Sequence, residues 1–251
     1  MSSKRRKLKK IKELEAPLLE IKQGTPEWFK AKHGRLSASR AGCVIPGARG
    51  YRGERETLAS DLAAQILDPY DDKARRASEV KSKSMQRGND LEPKARGRYE
   101  LETGLIVLEK GIYLDPRDQR ICASPDGITY SGDRLIEIKC PDTAAYHQNF
   151  TDMRAAGIDV GHEDFLAEIK KLGSPAGGYY WQMQLQMNCA GVDRCDFVTF
   201  DDRKRHPAEQ INIIPVYRND EDIQRLLDEI GLLFDRVDII VNQRRKLRNA
   251  N

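Results

Sequence analysis

The five cysteines (Cys43, Cys122, Cys140, Cys189, Cys195) never pair as CxxC, and Cys189 and Cys195 stand too far apart for a zinc knuckle. That spacing argues against a structural zinc site and points to reduced thiols in or near a core. The four histidines (His33, His147, His162, His206) have no metal-binding spacing either. No hydrophobic run reaches transmembrane length, and the basic start leads into Leu14-Glu15-Ala16-Pro17, not into the apolar stretch of a signal peptide. Internal repeats are absent. The expectation is a soluble intracellular chain with one domain's worth of core in its 251 residues.

Acid is missing from both ends. Residues 1–12 hold seven Lys and Arg and residues 244–251 hold four, with no Asp or Glu in either stretch. Removing those eleven charges from the formal +4 leaves residues 13–243 at −7. The basic character belongs to the ends, so overall charge is a weak argument for a nucleic-acid partner. The expected organisation is a basic arm at 1–16, one domain at 17–243 and a basic tail at 244–251.

Against these absences stands Ile121–Pro141, ICASPDGITYSGDRLIEIKCP. It reads as a β-hairpin: Ile121–Ala123 enters, Ser-Pro-Asp-Gly turns, residues 130–134 turn again, and Leu135–Cys140 leaves as a strand. Side chains at i and i+2 of a strand share a face, so Glu137 and Lys139 point one way and Ile136 and Ile138 the other. Asp126, in a turn held by Pro125 and Gly127, is set to return beside Glu137. Two carboxylates and an ammonium in this order suit a hard divalent cation next to a water or a phosphate. A surface turn followed by a Glu–Lys pair is the plainer reading of the same residues.

The rest of the chain supplies helices and strands around this segment. Thr25 caps a helix that starts at Pro26 and ends near His33-Gly34. Ser37 is the expected cap of a second helix. Its free N–H groups, with Ser37, Ser39, Lys32, Arg35 and Arg40, could hold a phosphate, although an ordinary capped helix explains the stretch as well. Residues 46–53 read as a loop, Glu54–Leu67 as a helix with Leu58, Leu62 and Ile66 in line, and the charged residues 68–84 as a flexible connection or a poorly ordered helix. RGNDLEP opens a helix that runs to Thr103 and stops at Gly104. Strands are expected at Leu105–Leu108 and Gly111–Leu114, pairing with the hairpin, and at Cys195–Phe200 and Gln210–Tyr217. Helices are expected at Thr143–Phe150, Glu163–Lys171, Tyr179–Met187 and from Asp220 or Asp222 through Val241. Tyr179-Tyr180-Trp181 reads as core in preference to a base-stacking platform. The fold class is α/β (α+β), a central mixed sheet flanked by helices.

Five motifs in order, QGTPEWFKAKHGRLSAS, RGNDLEPKAR..YE..TG, SPDG, EIKCP and YYWQMQLQM, resemble the lambda-exonuclease-like family of phage recombination nucleases, in the PD-(D/E)XK superfamily with its restriction-endonuclease-like core. The resemblance runs from about Gln23 to Val241. It implies that Asp126 and Glu137 bind metal, that Lys139 is the catalytic amine, that Glu92 is an additional acid on a helix, and that Gln182 closes the site. Lys32, Ser39 and Ser124 fall where the family binds the phosphate at the substrate's end. The family usually has Arg at the Lys32 position, which leaves Arg35 or Arg40 to share that phosphate. Tyr51 falls near the family's strand-separating wedge, and a plain loop residue is the competing reading there.

The resemblance further implies Mg²⁺ (or Mn²⁺), two ions per site, held by Asp126, Glu137, Glu92 and the Ile138 carbonyl. It implies digestion of one strand of 5′-phosphorylated linear duplex DNA to mononucleotides from its 5′ end, leaving 3′ tails. A homotrimer ring, a single-strand annealing partner and the bacterial or phage-infected cytoplasm are expected with it. If Lys139 acts as a base, burial should lower its pKa. An endonuclease of the same superfamily would keep Asp126, Glu137 and Lys139, and a non-catalytic DNA-end-binding module would need none of them.

Overall fold

The chain was analysed as a computed structural model, which describes residues 17–46, 51–78, 83–141, 145–173 and 177–250. Strand β1 is Leu18–Leu19 and helix α1 is Pro26–Lys32; the Thr25 side chain accepts from Trp28 N and Pro26 occupies the first turn, as the sequence predicts. Strand β2 (Leu36–Ser37) follows, then a 3-10 helix at Ala38–Val44. The helix expected to start at Ser37 is therefore present as a tighter 3-10 coil with Ser37 at its N-cap position, although the Ser37 side chain makes no capping hydrogen bond. Helices α2 (Tyr51–Leu67), α3 (Asp72–Ser78) and α4 (Lys83–Thr103) come next, so within 68–84 residues 72–78 follow the helical alternative. The loop expected at 46–53 gives way to α2 from Tyr51; residues 47–50 and the Tyr51 side chain lie outside the described residues.

Strands β3 (Val107–Leu108), β4 (Ile112–Leu114), β5 (Ile121–Ala123), β6 (Gly127–Thr129) and β7 (Leu135–Lys139) form two sheets. One runs β1-β4-β5-β2. The other runs β3-β6-β7-β8-β9, where β8 is Arg194–Phe200 and β9 is Ile211–Tyr217. Both contain parallel and antiparallel pairs. The fold is mixed α/β with its sheets flanked by helices.

The single hairpin expected at 121–141 is corrected here. Ile121–Ala123 pairs with β4 and β2 in the first sheet, and only β6 and β7 form the hairpin, in the second. Ser124-Pro125-Asp126 is the crossing between sheets. Gly127 is needed there for room: a Cβ would lie 2.4 Å from Val107 Cγ1.

Helices α5 (Ala145–Ala155), α6 (Glu163–Ile169), α7 (Gly178–Ala190), α8 (Pro207–Gln210) and α9 (Asp220–Asn249) complete the chain. In α9, Ile223, Leu226, Ile230, Leu233, Phe234, Val237, Ile240 and Val241 are buried, and the helix packs against α2, the 3-10 helix and α7. The helix does not stop at Val241. The residues read as a basic tail continue it, because Lys246 and Arg248 suit the negative end of the helix dipole. Arg248 also binds Asp68 at 2.7 Å and the Leu67 carbonyl. The basic arm at 1–16 lies outside the described residues.

Helix α7 is the hub, with Tyr180 and every residue from Gln182 to Cys189 buried. It contains no β-branched residue, and Gly191 at φ 71° ends it in the left-handed conformation. A buried amide without a partner costs about 1–3 kcal/mol, so what its polar side chains hold is informative.

Candidate active site

Asp126 is fixed beside Glu137 by the sheet itself. Its N–H donates to the Ile136 carbonyl at 3.1 Å, and its carboxylate accepts from Ile138 N at 2.6 Å. The side chain thus takes the hydrogen bond that a continued β6 backbone would have made, and Glu137 lies between the two ladder residues it holds. Glu137 is 1% exposed. Its Oε1 accepts from Lys139 Nζ at 2.5 Å and from Gln182 Nε2 at 2.7 Å; its Oε2 accepts from Gln186 Nε2 at 2.6 Å.

Gln182 and Gln186 are one turn apart on α7 and therefore share a face. The sequence reading singled out Gln182 and missed Gln186; the i, i+4 spacing was the available signal. Gln184 faces elsewhere, donating to the Tyr217 carbonyl at 2.9 Å and accepting from Asn219 N.

The strand's other face is apolar, as expected: Ile136 and Ile138 pack with Leu91, Ala95 and Tyr99 of α4. That packing brings Glu92 to the cluster. Its carboxylate takes Arg96 at 2.7 Å, and Glu92, Asp126 and Lys139 line one cleft of about 370 Å³. Ile138 lines it too, as do Gly88 and Asn89 of α4, Tyr146 of α5 and Tyr179 of α7. Tyr180 is core, but Tyr179 is a cleft wall, with Lys139 Nζ 4.7 Å over its ring.

The electrostatics are those of crowded acid. Asp126 is pushed well above the ordinary carboxyl range by burial and then by the Glu137 carboxylate, with Lys139 opposing. Glu92 is raised by burial, against the pull of Arg96. Burial works to discharge Lys139, but Glu137 and Asp126 outweigh it and hold the amine above its ordinary value. The lowered value expected of a base is therefore not found; Lys139 is an ammonium in this arrangement.

Among the described residues no three His, Cys, Asp or Glu side chains form a ready-made metal cage. The donor set nevertheless fits a hard cation. Asp126 and Glu137 repel each other, Asp126 and Glu92 line an open cleft whose thiol, Cys140, is held protonated by burial, and Mg²⁺ keeps several waters when one or two carboxylates hold it.

The family described as the YqaJ-like viral recombinase domain matches residues 27–193. The chain belongs to that family. It is also 31% identical to an alkaline exonuclease, LHK-Exo, from Laribacter hongkongensis, over 90% of this chain and 100% of that one, with a TM-score of 0.68. LHK-Exo in complex with dAMP matches at 32% identity with the same coverage and TM-score. A phage related exonuclease from Haemophilus somnus 129PT, 16% identical over 83% of this chain and 96% of that one with a TM-score of 0.61, shares the fold. No curated protein matches. The YqaJ-like family and the alkaline exonuclease likeness give this chain a nuclease fold and support a nuclease role in recombination. No helix among the described residues is long and apolar enough to cross a membrane.

The residues expected to hold the terminal phosphate are only partly gathered in this YqaJ-like chain. Trp28 Nε1 donates to Ser124 Oγ at 3.1 Å, Ser124 Oγ donates to the Gly111 carbonyl, and Gln23 donates to the Pro125 carbonyl at 2.9 Å. The QGTPEW and SPDG motifs, a hundred residues apart, are thus stitched together behind Asp126. Lys32 Nζ lies 3.9 Å over the Trp28 ring, with its pKa lowered by burial against the opposing pull of Cys122 and Glu137. Ser39 is exposed and donates to Ser37 Oγ at 3.2 Å. Arg35 departs from expectation. Its guanidinium is spent on the Ala31 and Gln119 carbonyls, while Arg40 reaches Asp61 at 3.8 Å. Lys32 is a cation within electrostatic reach of Glu137.

Proposed function

We propose that this chain is a Mg²⁺-dependent exonuclease that digests one strand of linear double-stranded DNA from its 5′ end and leaves 3′ single-stranded tails for annealing. The observation that carries the reading is the Asp126–Glu137–Lys139 cluster, one strand segment and one turn, opening onto a cleft with Lys32 beside it.

Each residue has a part in phosphodiester hydrolysis. Asp126 and Glu137, with the Ile138 carbonyl, would hold one cation, and Asp126 with Glu92 a second. Bound there, Mg²⁺ supplies charge neutralisation and a more acidic water. Gln182 and Gln186 fix the Glu137 carboxylate from behind, so that its orientation is set before substrate arrives. Lys139, kept protonated by its carboxylate neighbours, donates hydrogen bonds to the attacking water or to a non-bridging oxygen of the scissile phosphate. Lys32, backed by Trp28, binds the phosphate at the 5′ terminus as a point charge, and Ser124 Oγ lies on the same side. A terminal phosphate one nucleotide from the scissile bond makes the product a mononucleotide, in keeping with a relative that binds dAMP. The proposal extends to a homotrimer ring around the duplex and to a single-strand annealing protein that takes the 3′ tail.

The test is digestion of end-labelled linear duplex in Mg²⁺, with and without a 5′ phosphate, beside closed circular plasmid. Release of the 5′ label first, faster with the phosphate present and with the plasmid intact, supports the reading. Cutting of the plasmid would make the chain an endonuclease.

A further inference from the structure

Helix α4 contains two glycines with room for a side chain. A Cβ built at Gly88 or at Gly97 meets nothing within 4 Å, and neither has a positive φ. Glycine inside a helix is a stability cost with no steric return at such places. The two differ in where they stand. Gly97 lines none of the described clefts, whereas Gly88 lines the cleft that holds Asp126, Lys139 and Glu92.

The cleft's geometry gives that bare position a use. Ser84, Gly88 and Glu92 recur every four residues and make one wall, with Met85 and Asn89 beside them. Tyr146 of α5 and Tyr179 of α7 line the cleft from two other helices, and Ile138 to Pro141 from the end of β7. The wall is polar at both ends and empty in the middle. Lys32, Ser37, Ser39 and Ser124, the residues for the terminal phosphate, do not line it.

Resting on the exonuclease reading above, we infer that Gly88 is the close-approach point of the strand being digested. The sugar–phosphate backbone adjoining the scissile phosphate, on the side away from the terminal phosphate, runs against the helix at Gly88. Asn89 and Ser84, both exposed, donate hydrogen bonds to its oxygens, and Tyr179 and Tyr146 face its sugar and base. Gly88 is a positioning residue: its missing side chain sets the width of the cleft.

Three variants test this: Gly88→Ala, Gly97→Ala and Gly88→Leu. Both alanine variants should raise Tm by about 1–3 °C, since each replaces an unstrained helical glycine. Gly97→Ala should digest linear duplex at the wild-type kcat/KM. Gly88→Ala should lose about 10-fold or more, as a displacement of about 1 Å at a reacting phosphate can cost 100-fold. Gly88→Leu should remain folded and neither digest nor, by fluorescence anisotropy in Ca²⁺, bind a 5′-phosphorylated duplex with less than about a 10-fold rise in Kd. Wild-type kcat/KM in Gly88→Ala overturns the inference, as does an equal loss in Gly97→Ala or a fall in Tm on filling Gly88. The exonuclease reading fails separately, through a wild-type protein that does not release 5′ label from linear duplex. In that case the loss of duplex binding in Gly88→Leu still reports on the cleft.

Discussion

Asp196 and Glu137 stand on adjacent strands of one sheet, 0% and 1% exposed, yet their surroundings are opposite in kind. Asp196 pairs in register with Ile136 and so lies on the α4 face. It accepts from Tyr99 OH at 2.6 Å and Arg194 Nε at 2.6 Å, with Arg134 at 3.8 Å. Two guanidiniums and a phenol serve one carboxylate, which is fully buried. Glu137 lies on the α7 face, where one ammonium serves both it and Asp126 and two neutral amides complete its surroundings, and where Asp126 and Lys139 line an open cleft. A carboxylate kept for structure is neutralised on the spot. The pair formed by Asp126, just before β6, and Glu137 on β7 is left short of positive charge, which is the condition expected of the proposed cation and substrate site.

The contrast is broken most sharply by removing one acid from each site. Asp126→Asn should lower duplex cleavage by about 1,000-fold or more while Tm holds or rises, because a buried carboxyl raised by its neighbour is relieved. Lys139→Met should match it in rate. Asp196→Asn should do the reverse, costing about 3 kcal/mol in denaturant unfolding by stranding Arg194 and Tyr99, with the rate per folded molecule unchanged.

A finer version uses two glutamines of one helix. Gln186→Leu removes the amide that donates to Glu137 Oε2 and should cost about 10–100-fold in Mg²⁺ affinity, read by titrating the metal dependence of cleavage and by calorimetry with Mn²⁺. Gln184→Leu unties α7 from Tyr217 and Asn219 and should lower Tm with little effect on metal affinity.

The smallest effect belongs to a buried histidine that bonds neither carboxylate. His147 is buried, bonded to Thr199 Oγ1 and the Glu209 carbonyl, and burial pulls its pKa below the usual value of about 6.5. The folded state therefore binds its proton less well than the unfolded chain. Its contribution to stability is intact above about pH 6.5 and falls as the pH drops from there through the lower folded-state value. Tm plotted against pH should decline less steeply in that window for His147→Gln than for the wild type.

Much of the site was legible in the sequence because its spacing is local. Asp126 and the Glu137-x-Lys139 pair are a turn and a strand, and alternation alone puts both charged side chains on one face. The helix at 178–190 could be told from a strand by its lack of β-branched residues. The split of residues 121–139 between two sheets was not legible, since period-2 alternation says which way a side chain points and nothing of which strand lies alongside. The basic end was misread for a related reason: composition marks a tail, whereas the dipole of a long helix and Asp68, far back in the chain, make it a helix terminus. Gln186 was overlooked although its spacing to Gln182 was in view, because a buried glutamine announces itself only once its carboxylate partner is placed.

The central claim is that the acid-crowded Asp126–Glu137 pair does chemistry and that the fully neutralised Asp196 does not. The most direct measurement compares initial rates of 5′-label release from linear duplex in Mg²⁺ for wild type, Asp126→Asn and Asp196→Asn, at a temperature where circular dichroism finds all three folded. The account predicts no detectable release for Asp126→Asn and a near wild-type rate for Asp196→Asn. Equal losses in the two variants, or a fully active Asp126→Asn, would contradict it.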